Sequence, residues 1–201
     1  MGPGAALAND GQVFPTKALR KFLNSLTSHE APVLLDLGPV VGSNVAFFGE
    51  RLGCKILIED LFGDLDRHLR SGPAPFAEVL SGRLKHEAES VDGILCWNFF
   101  DYLDAPAARV LGAALTKLLR PDGALLGFFT TVAAPDTRFA KYVILDEDTL
   151  KQKPYTDGGK RQAALQNRDI IRLFDGLKVS ESFLLKTHIR EFLFRKPSKP
   201  R

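Results

Sequence analysis

The sequence predicts an α/β fold in which a mostly parallel sheet is covered by helices on both faces and finished by an antiparallel pair of strands. Two observations carry this. Short apolar runs alternate with helix-period stretches through the first two thirds of the chain. Near the end, LKVSESFLLK (177–186) and HIREFLFRK (188–196) are strand patterns with almost nothing between them. Parallel neighbours need a crossover of roughly a dozen residues, so these two have to pair antiparallel.

Residues 1–14 are rich in Gly and Ala and read as a loose start. TKALRKFLNSLTS then sets Leu19, Phe22, Leu23 and Leu26 at helical spacing, giving one apolar stripe. PVLLDL, bounded by Pro32 and Gly38, is a strand buried on both faces. From Ser43 the period is helical, with Val45, Phe48 and Leu52 on one face and Gly53 as the stop. KILIED is a second buried strand, and GDLDRHLRS and FAEVLSGRL are helices. A further parallel strand is expected near Arg83 to His86. DGILCW is a strand; ARVLGAALTKLLR is an amphipathic helix that ends at the turn PDG, and ALLGFF follows as another buried strand. RFAKYVILDEDTLKQKPY reads as an insertion, an extended arm or hairpin, ahead of a short helix at RDIIRLFDG.

The chain has 201 residues, enough for one domain, and its 45% apolar and 25% charged residues are ordinary globular composition. No apolar run approaches the ~18 residues needed to span a bilayer. The opening MGPGAALANDGQ lacks a basic stretch followed by an apolar one, so no secretory leader is expected. Cys54 and Cys96 lie in apolar stretches without a neighbour at metal-ligand spacing, so no metal is expected and buried free thiols in a reducing, cytoplasmic setting are. The net charge of +3 is too even to imply nucleic acid, and the late basic residues, Lys160, Arg161 and Arg168 among them, read first as a solvated surface.

Four segments occur in an order that resembles the class I S-adenosylmethionine-dependent methyltransferases, and most of all small bacterial methyltransferase-domain proteins without an assigned substrate. LLDLGPVVG (34–42) resembles the family's first motif, an acid at a strand end followed by Gly-x-Gly-x-Gly. KILIEDL is similar to the second strand with its terminal acid. VDGILCWNFFDYL (91–103) resembles the fourth strand, and LLRPDGALLGFF (118–129) the helix end, turn and fifth strand. The resemblance implies a Rossmann-like three-layer sandwich, with a mostly parallel seven-stranded sheet and a C-terminal antiparallel hairpin. It implies one domain over 15–197, with 140–160 an inserted arm or lid and 198–201 a basic tail.

By the same resemblance the cofactor is S-adenosylmethionine. Asp36, Gly38 and Gly42 would lie beside its methionine part, with Ser43 and Asn44 at the helix start and Glu59 or Asp60 on the ribose hydroxyls. A carboxylate suits that task because it accepts from two neighbouring hydroxyls at once. Val40 stands where the family has its middle glycine. A β-branched residue tolerates positive φ badly, and Pro39 removes an N–H donor, so the loop has to take a different path. A dinucleotide dehydrogenase would want Gly-x-Gly-x-x-Gly, which the sequence lacks.

Methyl transfer needs an acceptor held in line and, for some acceptors, a base. Asn98, Asp101 and Tyr102 are the candidates, with Asn98 also able to meet the cofactor, and Trp97, Phe129 and Tyr155 are candidate substrate contacts. Phe99 and Phe100 stand where the amino-methylating relatives carry prolines, so adenine or amide methylation is not expected. Tyr142 and Arg161 on the arm, and His86, Glu87, Glu89 and His188, are further positions near strand ends. The expected partner is a small molecule, with neither nucleic acid nor membrane. Two alternatives stand beside this reading: a non-catalytic binding protein with an altered cofactor loop, and an RNA or protein methyltransferase.

Overall fold

The computed structural model describes residues 11–71, 74–132, 139–155, 161–162 and 164–199. The main sheet is built from β2 (Val33–Asp36), β3 (Lys55–Ile58), β4 (Val91–Trp97), β5 (Leu119–Thr130), β8 (Lys178–Leu184) and β9 (Ile189–Arg195). Their order is β3-β2-β4-β5-β9-β8. The first four are parallel, and β9 pairs antiparallel with both β5 and β8, as the closeness of the last two patterns requires.

Alternate residues of the central strands feed two cores. Leu35, Ile94 and Leu125 face one, where α3 (Leu61–Ser71), α4 (Phe76–Arg83), α5 (Ala105–Leu118) and α6 (Asn167–Leu173) pack. Leu34, Leu95 and Leu126 face the other, which is closed by α1 (Leu19–Leu26) and by Phe48, in the wider helical turn Phe47–Arg51 that follows α2 (Gly42–Ala46). Full burial of these strands on both faces explains their unbroken apolar runs.

The second core has an additional wall. β1 (Gln12–Pro15), β6 (Ala140–Asp146) and β7 (Thr149–Pro154) form an antiparallel three-stranded sheet in the order β1-β7-β6. Phe14, Tyr142, Ile144 and Leu150 point from it into the core. The expected insertion is thus a hairpin, and β1, which takes in residues 12–14 of the expected loose start, adds a third strand to it. Glu191, fully buried in β9, locks the corner between β1 and α1: its carboxylate accepts from Thr16 Oγ1 and from the amides of Lys17 (2.9 Å) and Ala18 (3.0 Å).

Among the described residues the main sheet has six strands, not seven. The strand expected near Arg83 to His86 does not form: α4 runs to Arg83 and residues 84–87 are irregular. RLKHEAES offers no apolar alternation to bury, and the Arg83 and His86 side chains turn back to Glu59 instead. At the other edge of expectation, β5 starts immediately after α5 and runs through Pro121-Asp122-Gly123. Four residues are absorbed between the Val91–Leu119 and Gly93–Ala124 pairs, with Asp122 at φ 65°.

Candidate functional site

The chain leaves β2 for β3 on one side and returns to β4 on the other, so the crevice between β2 and β4 is the topological switch point, where ligands of open α/β sheets bind. Asp36 closes β2 and is 5% exposed. Its Oδ1 accepts from the Gly38 amide at 2.8 Å and from Trp97 Nε1 at 2.7 Å. Burial pushes its carboxyl up to about 6, against the pull of these two donors. No residue from Pro39 to Val41 has positive φ, and Val40 is 67% exposed. The valine is accommodated by turning its side chain to solvent, so it does not intrude on the crevice.

Trp97 does. It ends β4 at φ 49°, beside a register shift against β5. Bulges and left-handed conformations of bulky residues are strained features that re-aim side chains, and they cluster at functional sites. Here the indole is laid across Gly38. A Cβ on Gly38 would stand 2.8 Å from Trp97 Cδ1 and Nε1 and 3.1 Å from Asp36 Oδ1, so only glycine fits. The indole stacks on Tyr142 of β6, with centroids 5.2 Å apart and planes 5° from parallel, and Phe128 packs on both rings edge-on.

α2 begins at Gly42 without a side-chain cap, and Gly42 and Ser43 are exposed there. Asn44 is buried, and its amide bridges to the hairpin: Nδ2 donates to Tyr142 O at 2.8 Å and Oδ1 accepts from Ile144 N at 2.9 Å.

The two acids after β3 have separate surroundings. Glu59 accepts from Arg83 and lies 2.8 Å from His86 Nε2, while Arg83 Nε also donates to Asp64 at 2.6 Å. Asp60 caps α3 by accepting from the Gly63 amide at 2.9 Å, and its Oδ2 accepts from the Tyr155 phenol at 2.7 Å. Burial, followed by this bond to a carboxylate, pushes the phenol up to about 12.

Beyond Trp97 a single 3-10 turn, Phe99–Tyr102, carries the acceptor-side candidates. Asn98 is 2% exposed; its Nδ2 lies 3.5 Å from Tyr102 Oη, and its Oδ1 has no hydrogen-bond partner among the described residues. Asp101 accepts from the Thr130 amide at 3.1 Å and from Thr130 Oγ1 at 2.6 Å, which ties the turn to the end of β5. Burial holds it up at about 6 although Thr130 opposes the shift. Arg161 Nε donates to Tyr102 Oη at 3.3 Å, and its guanidinium lies over the ring.

The structure therefore gathers Asp36, Gly38, Trp97, Asn98, Asp101, Tyr102, Asp60 and Tyr155 at one end of the sheet. Phe129 sits apart in the first core against Phe100 and Phe192. Glu87 and His188 are exposed, Glu89 is paired with Lys199 and Lys196, and Arg168 lies beside Asp169. Lys160 lies outside the described residues. Sequence reasoning missed Thr130 and Arg83. Neither has a motif; each is found only when the fold brings a strand end or a helix end to a carboxylate. Among the described residues no helix is long and apolar enough to cross a membrane.

No protein-family model matches the chain, and no curated protein sequence does. Solved structures do match its fold. A Burkholderia thailandensis 1,6-didemethyltoxoflavin-N1-methyltransferase, with bound 1,6-didemethyltoxoflavin and S-adenosylhomocysteine, superposes with a TM-score of 0.52 at 16% identity, over 90% of this chain and 79% of that one. The glycopeptide N-methyltransferase MtfA in complex with S-adenosyl-L-methionine gives 0.50 at 15% identity, over 98% and 100%. The 4+2 cyclase SpnF gives 0.52 at 11% identity, over 90% and 81%. The chain has the class I methyltransferase fold.

Proposed function

We propose that this chain binds S-adenosylmethionine in the crevice at the carboxyl ends of β2, β3 and β4 and transfers its methyl group to a small molecule. The observation that carries this reading is a pair of carboxylates, Asp36 and Asp60, at the carboxyl ends of the neighbouring parallel strands β2 and β3, the first bonded to Gly38 at the switch point of the sheet. When bound, the cofactor supplies a methyl group activated on a sulfonium. Asp60 takes the ribose hydroxyls rather than Glu59: its outer oxygen is engaged by a neutral phenol, whereas Glu59 is committed to a guanidinium and a histidine. Gly38 lets the backbone come close, and Asp36 stands beside the methionine part.

On the acceptor side, Asn98 Oδ1 is a buried oxygen in need of a donor, and an N–H or O–H of the acceptor satisfies it. Asp101, with its carboxyl near 6, is ionised at neutral pH and close enough to that value to serve as a base. Thr130 and the Arg161–Tyr102 contact hold the turn in place.

A second reading, a non-catalytic binding protein, is favoured by one observation: Trp97 and Tyr155 already donate to the two carboxylates. Calorimetric titration with S-adenosylmethionine and S-adenosylhomocysteine tests the cofactor site on which the first reading depends. Micromolar binding of either is the expected result. No heat, together with no thermal shift at millimolar ligand, overturns the methyltransferase reading in favour of the second.

A further inference from the structure

Both carboxylates that the proposed site would offer to a ligand already accept a hydrogen bond from a side chain of the protein itself. Asp60 Oδ1 is spent on the Gly63 amide and Oδ2 on the Tyr155 hydroxyl. Chelating two neighbouring sugar hydroxyls takes both oxygens or the outer lone pairs of one, and the phenol O–H stands in for one of those hydroxyls. On the other side of the turn, the Trp97 indole fills the face of Gly38 by which a ligand would approach and hydrogen-bonds Asp36 as a ligand donor would.

We infer that Tyr155 and Trp97 occupy the site in the resting protein, and that both side chains swing out when the ligand binds. This rests on the cofactor site proposed above and adds its regulation: the ligand competes with two built-in stand-ins. Apparent affinity is the intrinsic affinity multiplied by the fraction of molecules in which the stand-ins are out.

Two contrasts locate the movement in these side chains and not in the whole hairpin. Tyr142, Ile144 and Leu150 of the hairpin are at most 4% exposed and sit in the second core, and Asn44 clamps the β6 backbone from both sides. That part stays. Tyr155 lies just past β7 and is half-buried, and its hold on Asp60 is a single hydrogen bond from an uncharged phenol, not an ion pair. Trp97 is as buried as those residues, at 3% exposed in the same second core, but unlike them it stands at positive φ beside a register shift, so its backbone relaxes when the indole leaves.

Trp97 is the only tryptophan in the chain, which makes it a reporter of its own position. The test titrates wild type, Tyr155→Phe and Trp97→Phe with S-adenosylhomocysteine by calorimetry, and follows wild-type Trp97 emission and acrylamide quenching through the same titration. Tyr155→Phe removes one hydrogen bond from the resting state only, so it is expected to tighten binding about ten-fold. Trp97→Phe is expected to act in the same direction, and wild-type Trp97 emission to shift with saturation. Equal affinity in all three proteins, weaker binding in the variants, or binding that leaves Trp97 emission and quenching unchanged overturns the inference while leaving the proposed function standing. Absence of binding in all three removes the proposed function and the inference together. Binding by the variants alone upholds both.

Discussion

Asp36 keeps a carboxyl group almost completely out of water, and burial raises its pKa from 3.8 to about 6. The folded protein therefore holds this proton more tightly than the unfolded chain does. The resulting stabilisation is present in full below about pH 4 and is lost as pH rises through about 6, where the buried group becomes a charge. A difference of about two units corresponds to about 3 kcal/mol at most. Both donors to Asp36 reach the same oxygen, Oδ1, so an asparagine keeps both bonds while removing the charge. Asp36→Asn is expected to stabilise the protein by about 1–3 kcal/mol at pH 7, with the gain shrinking towards zero at pH 4. Urea midpoints of both proteins at the two pH values check this, and equal destabilisation at both would refute it. A carboxylate that works against the fold at neutral pH is intelligible if it serves a ligand, since functional groups are retained at a cost in stability.

Among the elements, α5 comes close to α6 at Gly112. Gly112 faces the end of α6, where a Cβ would come within 2.2 Å of Leu173 O. Alanine gains about 1 kcal/mol in helix propensity, but here it meets backbone, which cannot rotate away, and overpacking of this kind costs about 1–3 kcal/mol or more. Gly112→Ala is expected to lower stability by about 1–2 kcal/mol net, seen as a lower urea midpoint; an unchanged or higher midpoint would show that α6 moves freely. The same elements show what the sequence makes legible. α1, α5 and the central strands β2 and β4 follow from periodicity and apolar runs, because those patterns are the direct trace of burial on one face or two. β1 did not follow: QVFP is four residues long and becomes a strand only because β7 lies beside it. The absent strand near Arg83 shows the converse, an element supplied by analogy where the residues have no apolar pattern to bury. In the site, residue types were legible and partners were not. That Asp36 would meet Trp97, or Asp60 meet Tyr155, depends on contacts across 61 and 95 positions of chain.

At the scale of the molecule, one sheet separates two cores, and its central strands belong to both. Leu34 and Leu35, Ile94 and Leu95, and Leu125 and Leu126 are neighbours in sequence that point into opposite layers. Losing either layer exposes one face of β2, β4 and β5, and so strips apolar burial from the strands that the other layer needs. Glu191 adds a fixed joint between β9 and the start of α1, where release would leave a buried carboxylate and two amides without partners. Both features argue for a single cooperative unfolding step, although a 201-residue chain is longer than those for which two-state behaviour is usual. Trp97 reports on the second core, with α1 and the three-stranded sheet, while far-UV ellipticity reports mainly on α3, α4, α5 and α6 over the first. Urea titrations followed by Trp97 emission and by far-UV ellipticity are expected to give coincident curves with one midpoint. A Trp97 transition that precedes the loss of helix would mean that the layer over the second core comes away as a unit of its own. In that case the shared strands do not couple the two cores, and the three-stranded sheet is an appendage to the fold instead of one of its walls.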